Sequence, residues 1–360
     1  MFRLPVLIVL MAVSQVLTAQ SYPRQFETVD SKMGLSSNQI NCITKDNAGF
    51  MWFGTMAGLN RFDGYSFRVF RHKPGDTTTL SDDYINQVVQ GPHHLMWVQT
   101  PNGWNIYDPG TERFAVHLQN RLAAMELPNE EFTAIVPDSA GCYWFVVTGK
   151  GVYRYNPATR KSTHYSKNTG TLYSDNVTGM ATDHQGNIWM VYAEGVLEQW
   201  DRNGRKTLRR NTGVATVTGE SSVDYKIFVD PDNDVWLYRA GQVKGAFYYQ
   251  PASGKMQLLQ KNAGQLRLNN DIINGIAADN NKRIWIATDH GGINLVDKQN
   301  GEVSYVLHNE REEKSLGQNS INAIFKDDAG IIWLGTFKKG VNYFHESSPH
   351  FPLYQQICNW

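Results

Sequence analysis

Seven tryptophans fall at near-constant intervals along the chain: Trp52, Trp97, Trp144, Trp189, Trp236, Trp285 and Trp333, separated by 45, 47, 45, 47, 49 and 48 residues. A period this regular means one structural unit copied seven times, since a single packed core has no need to place its largest side chains on a fixed spacing. Six residues before the tryptophan stands an aspartate in six units (Asp46, Asp138, Asp183, Asp230, Asp279, Asp327), with Gly91 the exception. Three residues before it comes Gly49, Gly141, Gly186, Asn233 or Gly330, while His94 and Lys282 depart from the pattern. Aspartate opening a turn, and glycine or asparagine where the backbone needs a positive φ, describe a tight hairpin.

Short runs rich in β-branched and aromatic residues flank that hairpin, as in Ile40-Asn41-Cys42-Ile43 and Phe50-Met51-Trp52-Phe53, and predict two paired strands. A second turn at residues 54–58 leads to a third strand, Leu59-Asn60-Arg61-Phe62-Asp63. Stretches such as Phe67-Arg68-Val69-Phe70, Phe114-Ala115-Val116-His117-Leu118 and Val303-Ser304-Tyr305-Val306-Leu307 supply a fourth. Four antiparallel strands per unit, with no helical periodicity between units, predict an all-β chain: a seven-bladed β-propeller of four-stranded antiparallel blades. The tryptophans are expected to pack between blades. Small residues in the first strand (Cys42, Ala134, Gly179, Gly275, Ala323) fit crowding near the axis. The ring must close or leave two exposed edges. Residues 25–29 and the stretch Phe351-Pro352-Leu353-Tyr354 both qualify as the closing strand, and the N-terminal segment is the expected one.

Ahead of the repeats, Arg3, an apolar run from Leu4 to Val13 and the small-residue stretch ending at Ala19 read as a signal peptide over residues 1–19, which predicts an exported, periplasmic chain. The propeller is expected over residues 20–346, and residues 347–360 read as a linker or the start of a second propeller. Thirty-four basic residues balance 34 acidic ones, so no net field draws nucleic acid to the chain. Cys42, Cys142 and Cys358 match neither a zinc site nor a disulfide framework; Cys42 and Cys142 read as small buried residues. No histidine spacing suits a metal, and no cofactor motif is present.

The units running from Leu35-Ser36-Ser37-Asn38 through Asp46 and Gly49 to Trp52-Phe53-Gly54-Thr55 and Gly58-Leu59-Asn60-Arg61-Phe62-Asp63, and again from Leu316 to Phe344, resemble the two-component regulator propeller repeat. The blade from Ser221 to Tyr249 diverges most, with Asp224, Tyr225 and Lys226 where the others carry an apolar residue, Asn or Thr, and a small residue. The resemblance implies the periplasmic sensor region of a hybrid two-component system histidine kinase of the Bacteroidetes, which detects glycan fragments and switches on polysaccharide utilisation. It also implies a second propeller and kinase modules as partners within the same protein. These residues carry no phosphotransfer chemistry, so the chain is expected to act as a non-catalytic sensor; a homodimer stays open.

In a propeller, the loops before the first strand and between the second and third strands gather on one axial face. Asn38, Asp83, Glu130, Asp175, Asp271 and Asn319 recur there in matching positions and read as structural turn residues. Positions that differ between blades are the candidates for contact with an oligosaccharide ligand: Tyr84, Trp104, Lys150, Glu194, Tyr225, Lys226, Arg239, Asp289, His290 and Lys338. Aromatic faces there would stack on sugar rings, and charged or amide groups would fix hydroxyls or carboxylates. Two other classes stay in view. Streptogramin-type lyases share a similar Asp-Gly-Trp run, and His290 is the one histidine in a loop between second and third strands that could act as a base. A protein-binding scaffold is the other.

Overall fold

The computed structural model describes residues 24–346 other than 205, 219–222 and 263, and in it the strands form seven antiparallel four-stranded sheets. Blade 1 shows the unit: Ile40–Lys45, Met51–Thr55, Gly58–Phe62 and Phe67–Phe70 pair in that order. Blades 2 to 6 occupy residues 87–115, 132–165, 177–211, 226–259 and 273–306. The seventh takes three strands from residues 321–345 and its fourth from the start of the chain, Glu27–Val29, with Val29 opposite Val341. The N-terminal segment therefore fills the closing position. The expected leader, the stretch 351–354 and Cys358 lie outside the described residues.

Every interface between neighbouring blades holds one tryptophan of the repeat. Trp52 packs with Val88 and Val98 of the next blade, Trp97 with Ile135 and Phe145, Trp144 with Met180 and Met190, and Trp189 with Val235 and Tyr249. Trp236 meets Ile276 and Ile286, Trp285 meets Leu334, and Trp333 packs on Ile43 and Phe53 across the closure. All seven are buried. Each contributes about 4–6 kcal/mol of apolar transfer as an upper bound, which is why no blade is stable without its neighbour.

The aspartate six residues earlier does more than open the hairpin. In blade 1, Asp46 Oδ1 accepts the backbone N–H groups of Ala48 and Phe50, while Oδ2 accepts the Trp52 indole N–H at 2.7 Å. The same indole bond recurs at Asp138–Trp144, Asp230–Trp236, Asp279–Trp285 and Asp327–Trp333. A buried indole donor thus finds its acceptor within its own blade. Trp189 makes no such bond, and Asp183 Oδ2 accepts from Asn187 and Gln199 instead. Trp97 has no aspartate at all, and a Cβ on Gly91 would lie 2.3 Å from its indole nitrogen. In this blade the ring has moved into the space the side chain would need.

Three departures from the sequence reading have physical reasons. Lys282 and His94 break the glycine pattern in identity but not in conformation, with φ of 62° and 61°. The fourth strand of blade 2 is only Arg113–Ala115, because the chain then turns into a helix, Gln119–Ala124, whose Leu122, with Leu118, Met125 and Leu127, feeds the interface around Trp97. A second short helix, Gly213–Thr218, links blades 4 and 5. Cys42 and Cys142 are free thiols, and burial pushes the Cys42 thiol up to about 12.

Crowding at the axis is visible at Gly54, where a Cβ would sit 2.4 Å from Cys42 Sγ and 2.6 Å from Ile85 Cγ2. Gly54→Ala is expected to cost about 1–3 kcal/mol through overpacking. Gly49→Ala, in open space but at φ +94°, should cost about 1 kcal/mol through the backbone alone. Urea denaturation of both variants checks the ranking, and a Gly54→Ala loss no larger than that of Gly49→Ala would refute the overpacking, because Gly54 has no positive φ to strain.

Candidate ligand-binding face

The recurring polar residues ahead of the first strands are clamps. Asp83 Oδ1 accepts from His72 N at 2.6 Å, Asp175 from Lys167 N, Asp271 from Lys261 N, Asn319 from His308 N and Asn38 from Ser31 N. Each side chain thereby ties the incoming connection to the start of its blade. Their carbonyls accept a glycine N–H from the neighbouring blade, as in Gly58 N to Asp83 O at 2.7 Å and Gly292 N to Asn319 O at 2.7 Å. Their role is structural, although the local turn belongs to the residue before, such as Asp82 to Tyr84 N or Asn270 to Ile272 N. Glu130 differs and pairs with Lys150.

These clamps hold a face with two openings. One is the axial channel, a cavity of about 1040 Å³ whose wall includes Asn41, Asn86, Thr133, Thr178, Asn274 and Asn322. Three of these amides also bridge blades: Asn41 donates to Ile85 O, Asn274 to Ile321 O and Asn322 to Ile40 O. The other is a depression of about 790 Å³ over blades 6 and 7, lined by Asp289, His290, Gln318, Phe337, Lys338 and Lys339 among others. The two openings meet at Asn274 and Asn322, which line both.

The structure gathers only part of the candidate set. Asp289, His290 and Lys338 share the depression, with His290 Nδ1 2.9 Å from Asp289 Oδ1. Lys226 lines the channel and pairs with Asp224 at 3.1 Å. Arg239 stands between the channel-lining Tyr238 and Ala240. Tyr84 is exposed on its own loop, outside both openings. Lys150 is held by Glu130. Glu194 accepts from Ser174 Oγ at 2.7 Å and Asn176 Nδ2 at 3.3 Å.

Two candidates are corrected. Trp104 is buried, stacks on Phe132 at 5.0 Å and donates its indole N–H to Phe132 O; it is core. Tyr225 is fully buried among Trp189, Val191 and Tyr249. The ladder of blade 5 begins only at Lys226 opposite Tyr238, so Tyr225 enters the interface layer instead of facing the axis. A ligand can reach neither ring.

Phe337 and Lys339 were missed. Phe337 occupies the loop position that carries Met56, Pro101, Thr148, Ala193, Ala240 and Asp289 in the other blades, and it is 39% exposed. An aromatic at a variable loop position was the signal that could have found it. Its ring lies 5.2 Å from Lys338 Nζ.

The family described as two component regulator propeller matches residues 34–57, 267–290 and 315–338, the loop-strand-hairpin-strand units of blades 1, 6 and 7. A stretch of 65 residues is 38% identical to histidine kinase P4 of Formosa agariphila, covering 18% of this chain and 5% of that protein. Among solved structures, the extracellular domain of the putative hybrid two component system BT3049 from B. thetaiotaomicron is 25% identical, with a TM-score of 0.68 over 91% of this chain and 42% of that one. The corresponding domain of BT4673 from the same organism is 20% identical, with a TM-score of 0.66 over 91% and 40%. The chain thus spans less than half the length of these domains. A streptogramin B lyase, 12% identical at a TM-score of 0.58 over 89% and 98%, shares the fold alone. Three of the seven units, those of blades 1, 6 and 7, thus match the two-component regulator propeller family, and the ring they belong to is similar to the extracellular domain of a putative hybrid two component system.

Proposed function

We propose that this propeller is the exported, non-catalytic ligand-reading part of a hybrid two-component regulator, and that it recognises glycan fragments at the depression over blades 6 and 7 to control polysaccharide utilisation. The observation that carries the reading is the half-exposed Phe337 ring set among Lys338, Gln318, Asp289 and His290 in one of the two openings of this face. An exposed aromatic beside polar groups with fixed positions suits a sugar, whose ring has one apolar face and a rim of hydroxyls. The kinship with extracellular domains of two-component systems supports a sensing role, and phosphotransfer would belong to further modules of the same protein. The lyase alternative rests on fold alone.

Calorimetry of the chain against a panel of oligosaccharides tests the reading. One or more are expected to bind, and Phe337→Ala should weaken that binding about tenfold without shifting the thermal midpoint. No heat with any glycan, together with binding to a periplasmic protein, would replace the sensor with a scaffold. Turnover of an oligosaccharide or lactone-type substrate, abolished by His290→Ala, would replace it with an enzyme.

A further inference from the structure

We infer that the depression over blades 6 and 7 takes an acidic oligosaccharide, one bearing uronate or sulfate groups. The inference rests on the glycan-sensing reading and adds the charge of the ligand. Lys338 and Lys339 both line the depression, and neither has a carboxylate partner among the described residues. The one acid on the same wall, Asp289, is engaged by His290 at 2.9 Å.

The contrast with blade 3 shows that this imbalance is a property of the site. There the loop lysine, Lys150, is neutralised by Glu130. The matching position in blade 7 is Asn319, an amide whose Oδ1 is taken by His308 N at 2.7 Å. His308 in turn makes a 2.6 Å bond from Nδ1 to Leu316 O. Two ammonium groups therefore face a wall of amides and hydroxyls whose one carboxylate is Asp289, an excess of positive charge.

The loop that presents them is fixed from below. Gln318 Oε1 accepts the backbone N–H of Lys338 at 2.9 Å, and Thr336 Oγ1 accepts that of Lys339 at 2.8 Å. Binding therefore does not have to order the loop backbone. Lys338 Nζ lies over the Phe337 ring, 5.2 Å from its centroid, so the aromatic surface and the ammonium share one spot, and a sugar bearing a carboxylate or sulfate meets both there. The chain as a whole carries no net charge, so the attraction is local to this loop and is screened by salt.

Calorimetry with the full chain compares oligogalacturonate, alginate and chondroitin sulfate oligosaccharides with neutral xylo- and cello-oligosaccharides of equal length, and with inorganic sulfate alone. An acidic oligosaccharide is expected to bind, to weaken as ionic strength rises, and to lose about five- to tenfold in the double variant Lys338→Gln/Lys339→Gln at unchanged thermal midpoint. Neutral oligosaccharides that bind as well as the acidic ones, indifferent to both lysines, would overturn the inference and leave the sensing reading standing. Sulfate binding as tightly as the sulfated oligosaccharide would reduce the site to a simple anion site and overturn it too. Binding of no oligosaccharide at all would remove both.

Discussion

Replacing Lys298 by methionine is expected to destabilise the propeller by about 3 kcal/mol, although the residue lies far from any proposed ligand. Its side chain is 9% exposed, and Nζ reaches Asp230 Oδ2 at 2.6 Å and Asp232 and Asp234 Oδ2 at 3.0 Å each. Asp230 is the fully buried carboxylate that also accepts the Trp236 indole, and Asp234 accepts the Tyr248 hydroxyl, whose ring stacks on Trp236 at 4.4 Å. Lys298 belongs to blade 6 and the aspartates to blade 5, so the ammonium is the single positive charge that reaches all three across the interface. Methionine fills the volume of the stem and leaves Asp230 and Asp234 without their ammonium, while Asp232 keeps only Lys282.

The pH dependence of that loss has a definite sign. Burial alone pulls the Lys298 ammonium down, but the hydrogen-bonded carboxylates outweigh it and hold its pKa above the ordinary 10.5. A raised base contributes its stability below its unfolded pKa and loses it only as pH climbs through the folded value. The Lys282 and Lys298 ammoniums hold Asp232 below its ordinary 3.8, so its contribution is present above that pH and is lost as pH falls through the depressed value. The Lys298–Asp232 pair is therefore intact across neutral pH, and the gap between wild type and Lys298→Met should narrow in acid as Asp232 protonates. Urea denaturation at neutral and acid pH measures it. Adding Asp230→Asn to the methionine variant should recover part of the loss. A gap that stays constant with pH, or a double variant worse than the sum of the singles, would refute the assignment.

Why the ring was legible and the site only partly so follows from where the information sits. The tryptophan spacing and the Asp and Gly before it are local, and each blade repeats them, so seven copies declare the fold even where Gly91, His94 or Lys282 breaks one element. The indole-to-aspartate bond was not legible because the aspartate already had a sufficient reason in the turn. Buried asparagines on the third strands were likewise silent: Asn60, Asn105, Asn294 and Asn342 accept from Ser36, Ser81, Asn269 and Gly317 N–H. In blade 4 the matching place holds Glu198, fully buried, bonded to the Tyr192 hydroxyl and to Arg210 Nε at 2.7 Å. Such substitutions alter the means and keep the fold. The depression joins loops some 50 residues apart in sequence, and no spacing rule relates Asp289 to Phe337. Position-by-position comparison of blades found half of that pair. Tyr225 failed for the opposite reason, since aligning it with Asn41 assumed that blade 5 enters its sheet as the others do.

Removing the chain through Asp30 should open the ring. Glu27–Val29 supplies the fourth strand of blade 7, opposite Tyr343, Asn342 and Val341. Around it, Phe26 and Val29 are buried, Phe26 N donates to Lys314 O at 2.8 Å, and Asn342 Nδ2 donates to Thr28 Oγ1 at 2.7 Å. Phe26→Ala alone should cost about 3–4 kcal/mol, and loss of the whole strand more. Without it the strand Val341–His345 becomes a bare edge beside the Trp333 interface, and such an edge pairs with whatever strand is offered. Truncation through Asp30 is therefore expected to lower the thermal midpoint steeply and to produce concentration-dependent association by light scattering, whereas truncation through Pro23 should do neither. The two deletions differ by seven residues, so indistinguishable melting and a shared monomeric state would mean that the first and last sheets hold together without the N-terminal strand that crosses between them.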